Sequence, residues 1–424
     1  MPSRVATEMK VSCLPPSSLL CFTREARLAP IRSRLSFLTE NNAKYSGELE
    51  AAIDVVQRAC RLCVEVRRQI FSKDRGILEK GDRTPVTVAD FGVQALISLE
   101  LSRLFPYIPL VAEEDSSQLL LDLENSDQNG VSSSLVEAVM NAVSNSSILQ
   151  AERLNHDKIL KAIDRGSQEM TFKAKPATYW VLDPIDGTRG FVRGGKALYV
   201  VGLALVVEGR PILGVMGCPN WDAETIYIEN NLAQENTNKY GIDDLITPGI
   251  IMAACHGCGT WIRTISNDTR NFALDGSPNV WVRCSVDKCN LLQEALFCVA
   301  DRATWELLPL SKTLEAASIS KGRGKTWKPT IVPTCCGSLC KYLMVAAGRA
   351  SVFLLQVPEE SSVKVWDHAV GMICVFEAGG EVSGWDGSKL ALAIDGVERQ
   401  SIVPKGGGIL VTNGTLHNEL LHMI

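Results

Sequence analysis

No run of this sequence approaches the ~18–20 uninterrupted apolar residues of a membrane-spanning helix, which excludes an integral membrane protein of that kind. A surplus of basic charge is also missing: 43 Lys and Arg stand against 48 Asp and Glu, for a formal charge of −5. Coating of nucleic acid, which needs dense Lys and Arg to displace counterions, is excluded with it. There is no internal repeat and no low-complexity tract, so a collagenous or wholly disordered chain is excluded too. The 14 cysteines lack the tight spacing of a small secreted disulfide scaffold and read mostly as buried or free thiols of a reducing compartment. What is present is 424 residues of ordinary folded composition, 46% hydrophobic and 21% charged, enough for a large core and for two domains.

The N-terminus differs from the rest. Residues 1–44 carry Arg4, Lys10, Arg24, Arg27, Arg32, Arg34 and Lys44 against Glu8, Glu25 and Glu40, a segment charge of +4 that leaves −9 for residues 45–424. Rich in Arg and Ser, poor in acids and without an apolar stretch, it reads as an organelle transit peptide, for the mitochondrion or alternatively the plastid. A disordered tail is the competing reading. The remainder divides into an α+β metal-binding and catalytic domain over 45–245, with a polar insertion near 115–176, and an α/β domain over 246–424.

Apolar spacing predicts a helix over Leu49–Phe71, with Leu49, Ile53, Val56, Cys60, Val64 and Ile70 on one face, and a second helix from Val88. The run Ile108–Ala112 reads as a strand ending in Glu113-Glu114-Asp115. A buried strand over Tyr179–Leu182 ends in Asp183-Pro-Ile-Asp-Gly-Thr188. A hairpin follows, Tyr199–Val207 and Ile212–Met216 around the turn at Glu208-Gly-Arg-Pro211. Farther on, Leu339–Ala347 and Trp366–Glu377 read as helices, with extended runs at Ala350–Val357, Gly380–Ser383 and Gly408–Thr412. The insertion, polar around Asn125–Ser134, reads as a surface excursion that could act as a lid.

Asp183-Pro-Ile-Asp-Gly-Thr188 carries the densest chemistry. Two acids three residues apart at a strand end can face one hard cation, with the Ile185 carbonyl as a further oxygen. Magnesium takes such oxygens and shares its site with substrate phosphate. Gly187 permits a tight turn, and Thr188 at a helix start can meet a phosphate oxygen. Alone, the run fits a calcium loop or a helix cap as well. Three companions bear on it, each with an acid at an element terminus: Glu113-Glu114, Thr84-Pro-Val-Thr-Val-Ala-Asp90, and Trp366-Asp-His-Ala369.

Together these four segments resemble the lithium-sensitive, magnesium-dependent phosphomonoesterases of the inositol monophosphatase superfamily, over most of residues 48–424 outside the insertion. The run Trp180–Gly195, with Ile163-Asp-Arg-Gly166 and Gly214-Val-Met-Gly-Cys-Pro-Asn220, is similar to that of the 3′(2′),5′-bisphosphate nucleotidases, which remove the 3′-phosphate of 3′-phosphoadenosine 5′-phosphate (PAP). The resemblance implies a five-layer α-β-α-β-α sandwich and a monomer acting on a small phosphorylated substrate, with no nucleic acid or membrane partner. It implies two or three Mg²⁺ ions held by Glu113, Asp183, the Ile185 carbonyl, Asp186 and Asp367, the last also contacting substrate. Asp90 and Thr188 correspond to the pair that activates water, and Thr188, Ser338 and Lys341 to substrate contacts, the last two near the 5′-phosphate. Two departures stand out. Gln356 occupies the place of a family arginine, and no nucleotide-binding histidine occurs in 284–300. An inositol or other sugar-phosphate phosphatase of the same fold, or a weakly catalytic nucleotide sensor, are the alternative functions.

Cys255-His-Gly-Cys258 with Cys284 and Cys289 has partial zinc-ribbon spacing, or that of a redox pair, against a plainer reading as structural thiols. His368, Trp261, Trp281 and Trp366 read as packing residues.

Overall fold

The structure, a computed structural model, describes residues 35, 44–73, 77–79, 85–129, 135–146, 154–167, 178–193, 197–221, 249–265, 280–320, 329–358, 361–392 and 400–424. The expected leader lies outside these, apart from Leu35 and Lys44, as do most of the turn at 80–85 and residues 130–134, 147–153 and 168–176 of the insertion.

The first helix, α1 (Ser46–Lys73), buries Leu49, Ile53, Val56, Cys60 and Val64, as the spacing predicts. A short antiparallel pair, β1 (Ile77–Glu79) and β2 (Pro85–Thr87), leads into α2 (Val88–Leu104), which is buried nearly all round. Then come β3 (Leu110–Ala112), α3 (Ser117–Asn129), α4 (Leu135–Ser146) and α5 (His156–Asp164). The next stretch holds β4 (Thr178–Asp186), α6 (Thr188–Arg193), β5 (Val200–Val207) and β6 (Arg210–Cys218). It is followed by β7 (Gly249–Cys255), β8 (Gly259–Ile265) and β9 (Val282–Cys284). Strands β3 to β9 form one seven-stranded sheet in chain order, parallel at β3–β4 and antiparallel thereafter. The sheet thus runs past residue 245, the expected end of the first domain.

The second half holds β10 (Leu296–Val299), α7 (Arg302–Leu307), α8 (Pro309–Ser320), β11 (Thr330–Pro333) and α9 (Ser338–Ala346). After these come β12 (Val352–Gln356), β13 (Val363–Lys364), α10 (Ala369–Glu377) and β14 (Glu381–Gly384). The chain closes with β15 (Ser401–Ile402), β16 (Gly408–Thr412) and α11 (His417–Leu421). Five strands form a second sheet in the order β11-β10-β12-β16-β14.

Three apolar cores separate five layers. One joins α1, α2, α4 and α5 to the outer face of the seven-stranded sheet. The next packs α9 and α10 between the two sheets, and the third covers the far face of the second sheet with α7, α8 and α11. This is the expected α-β-α-β-α sandwich. It explains the unbroken apolar runs of β4 and β5, because a sheet covered on both faces has no solvent side to mark with polar residues. Tyr179 and Trp180, adjacent and fully buried, face opposite layers.

The described part of the insertion is not a surface excursion. Val136, Val139 and Val143 of α4 and Ile159 and Ile163 of α5 lie fully buried in the first core.

Candidate active site

The site begins with an irregularity in β4. Asp183 pairs with Gly202 and Asp186 with Val200, so β4 spends one more residue than β5 over this interval. In a regular strand, residues three apart point to opposite faces. The extra residue of a β-bulge cancels that alternation and turns both acids to one side. Pro184, which has no N–H to give the ladder, sits inside the irregular stretch.

Asp367, in the turn before α10, completes the cluster: carboxylate oxygens of Asp183, Asp186 and Asp367 lie within 4.8 Å of one another. Among the described residues this is the one such grouping of His, Cys, Asp and Glu. Glu113, Ile185 and Thr188 join it in lining a cavity of about 650 Å³. Gly187, with φ +84°, makes the turn from β4 into α6, and the Thr188 hydroxyl donates to the Ile185 carbonyl at 3.0 Å.

Electrostatics give the cluster its character. Burial raises the Asp183 carboxyl well above the usual range, and repulsion from Glu113, Asp186, Asp367 and Asp90 raises it further. Burial also pushes Asp186 up to about 6, against the pull of Lys341 and of N–H groups at the start of α9. The Cys340 N–H donates to Asp186 Oδ2 at 3.0 Å. Asp183 Oδ1 is buried with no hydrogen-bond partner among the described residues. Hard oxygen donors, mutual repulsion and an unsatisfied carboxylate oxygen together fit a divalent cation of the magnesium type.

Glu113 is placed by a brace that ends at the Ile163-Asp-Arg-Gly166 segment. Gln94 of α2 accepts from the Glu114 N–H at 3.0 Å and donates to the Ile163 carbonyl at 2.8 Å. Asp164 accepts from the Ser116 N–H and hydroxyl, both at 2.8 Å. Arg165 donates to the Ser98 and Ile108 carbonyls at 2.9 Å, and the Ala112 N–H reaches the Gly166 carbonyl at 3.1 Å. The segment that looked like a subfamily signature therefore fixes the end of β3. No described residue of 115–176 lines the cavity, and its described part reaches the site through the brace at the end of β3.

Asp90 is buried in the first turn of α2, close enough for its charge to act on Asp183. Ser338 lines the cavity, whereas Lys341 does not: its ammonium is buried and donates to the Gly337 carbonyl at 2.7 Å. Gly337 lies so near Asp186 that a Cβ there would fall 1.9 Å from Oδ2. His368 is buried and hydrogen-bonded through Nδ1 to the Tyr342 hydroxyl at 3.0 Å, a packing role. Burial holds its ring neutral by lowering its pKa to about 3. Trp281 and Trp366 are likewise buried, and Trp261 is partly so. Cys255, Cys258, Cys284 and Cys289 are in no disulfide and, among the described residues, form no metal grouping, while Cys335 and Cys336 are joined by a disulfide in the cavity wall.

Sequence reasoning passed over Arg189, Arg193, Ala300 and Asp301, which also line the cavity. Both arginines stand inside the Thr188–Arg193 run, but nothing in the run says which way they point.

The profile of the Inositol monophosphatase family matches residues 48–423. An Arabidopsis thaliana protein with the provisional name mitochondrial 3′(2′),5′-bisphosphate nucleotidase is 49% identical over 411 residues, covering 97% of this chain and 93% of its own. A second Arabidopsis protein, 3′,5′-bisphosphate nucleotidase AHL, is 32% identical over 88% of this chain and 95% of its own. The 3′(2′),5′-bisphosphate nucleotidase of Dictyostelium discoideum is 31% identical over 88% of this chain and 95% of its own. A profile that runs from the first helix to the last, over a five-layer core with its acids gathered at one strand end, places this chain in the inositol monophosphatase family.

Proposed function

We propose that this chain is a magnesium-dependent phosphomonoesterase that hydrolyses the 3′-phosphate of PAP to give AMP, and accepts the corresponding phosphosulfate (PAPS). The observation that carries the reading is the carboxylate cluster of buried Asp183 and Asp186 with half-buried Asp367 in the lining of a nucleotide-sized cavity. The names of the relatives support the bisphosphate nucleotide as substrate. With Glu113 and the Ile185 carbonyl, these acids would hold two or three Mg²⁺ ions. Magnesium bound there supplies the positive charge that a phosphate dianion and a departing ribose oxygen need.

The remaining work falls to the chain itself. Thr188 lies beside the scissile phosphate and orients the attacking water through its hydroxyl. Asp90, at the start of α2, takes the proton. Asp367 contacts the substrate while holding metal, and Ser338 meets it from the start of α9. The basic leader and the mitochondrial name of the 49% identical Arabidopsis relative support import into the mitochondrion.

The test is phosphate release by purified protein from PAP, PAPS, inositol phosphates and fructose 1,6-bisphosphate. PAP turnover that requires Mg²⁺, is inhibited by Li⁺ and falls about a hundredfold or more in Asp183→Ala is expected. Mg²⁺-replete protein that prefers an inositol or sugar phosphate, or that binds PAP tightly without turning it over, would overturn the reading.

A further inference from the structure

An acidic cluster that gathers metal explains how one phosphate is held. It leaves open what holds the second phosphate of a bisphosphorylated substrate. The two residues expected to supply that charge do not face the cavity. Lys341 turns inward to the Gly337 carbonyl, and position 356 is a glutamine on the exposed end of β12, paired in register with Gly408. Among the described residues, the cations that line the cavity are Arg189 and Arg193.

These two stand four apart on α6, on one side of it. The opposite side anchors the helix. Phe191 is buried edge-on against Tyr199 with ring centroids 5.0 Å apart, and Gly190 packs so closely on the Leu198 carbonyl that a Cβ would lie 2.6 Å from its oxygen. With Gly190 and Phe191 fixed inward, both arginines face outward from a rigid base. Arg193 Nη1 lies 3.8 Å from Cys335 Sγ, and the Cys335–Gly337 loop runs on to touch Asp186. Neither guanidinium is paired with a carboxylate among the described residues, even though Glu113, Asp183, Asp186, Asp301 and Asp367 line the same cavity. The cavity is therefore lined both by acids and, beyond ion-pair distance of them, by two guanidinium groups.

We infer that Arg189 and Arg193 form the subsite for the second, non-scissile phosphate of the substrate, in place of the missing family arginine. The inference rests on the bisphosphate reading above. Guanidinium groups suit the role because each can give a phosphate two parallel hydrogen bonds. A cavity lined by acids alone accepts any phosphomonoester, whereas one lined also by guanidinium groups favours a molecule carrying two phosphates. Selectivity against inositol monophosphates then comes from α6 and not from the metal centre.

The test compares kcat and KM for PAP and for adenosine 3′-phosphate in wild type, Arg189→Ala, Arg193→Ala, the double variant and Arg193→Lys. Loss of a guanidinium should raise KM for PAP roughly tenfold, with a smaller change in kcat, and the effect on adenosine 3′-phosphate should be much smaller. Selectivity should collapse in the double variant and partly return in Arg193→Lys. AMP, which retains the non-scissile phosphate, should inhibit the double variant more weakly than wild type. If wild type turns over PAP and the variants keep its selectivity, or lose both substrates equally, the subsite assignment is wrong and the nucleotidase reading survives. If wild type turns over no PAP, both fail.

Discussion

His417 is a polar side chain buried at the edge of the second sheet. Its Nδ1 faces the Thr412 hydroxyl at 3.0 Å and its Nε2 the Ser383 hydroxyl at 2.9 Å. Thr412 Oγ1 also accepts from the Gly414 N–H, which leaves its own proton for Nδ1, and Ser383 gives its proton to the Gly384 carbonyl, which leaves Oγ to accept from Nε2–H. The network is complete for a neutral imidazole protonated at Nε2, and a second proton, on Nδ1, would force the Thr412 hydroxyl to turn its own hydrogen away from the ring. Burial lowers the His417 pKa, with Glu381 pulling weakly the other way. The unfolded chain takes up its proton near pH 6.5 and the folded one only at lower pH, so the associated stability is complete above ~6.5 and declines as pH falls below it. Urea unfolding between pH 7.5 and 5 should show a steeper loss for wild type than for His417→Gln. A slope unchanged by the substitution would contradict this. At the same scale, the acids of the site were legible in the sequence because each closes a strand or opens a helix within a short run. The direction of Lys341 was not, since only the three-dimensional closeness of Asp186 and Gly337 decides it.

Elements set what the residues can reach. Helix α9 can begin against the acid cluster only because residue 337 has no side chain. Gly337→Ala should push Asp186 out of place and raise the Mg²⁺ concentration for half-maximal activity about tenfold or more, the usual scale for disturbing a ligand's support. Its melting temperature in EDTA should change little, which separates this effect from misfolding. The helices and strands themselves followed from apolar periodicity: α1, α2, β4, β5 and β6 lie within a few residues of their expected places. Where the reading failed, at 115–176, short helices with one buried stripe each looked polar on average. A composition average cannot report that Val136, Val139 and Val143 share a face.

Across the whole molecule, the central layer of α9 and α10 is shared by both sheets, so one of the three cores belongs to both halves at once. A boundary is visible in sequence only where few contacts cross it, and many cross between these two halves. Sharing also ties global stability to the site, because β4, α9 and the turn before α10 each bring an acid or its support to it. Mg²⁺ at about a hundred times its dissociation constant should stabilise the wild-type fold by ~2.7 kcal/mol. Metal-free Asp183→Asn should exceed metal-free wild type by ~1.4 kcal/mol for each pK unit of repulsion relieved, and gain little from Mg²⁺. Thermal melts with and without EDTA measure both quantities, and a variant that still gained the full metal increment would count against Asp183 as a ligand.

The bulge in β4 has a consequence for how such a site can change over time. Two acids that share a side because of one extra residue are joined by parity, not by the chemistry of what lies between them. The apolar residues of β4 can be exchanged for others of similar size with the site intact. Losing or gaining one residue between Asp183 and Asp186 would send one acid into the opposite layer while leaving the strand a good strand. The active site is thereby tolerant of spelling and intolerant of counting, and related chains should differ here by substitution long before they differ in length.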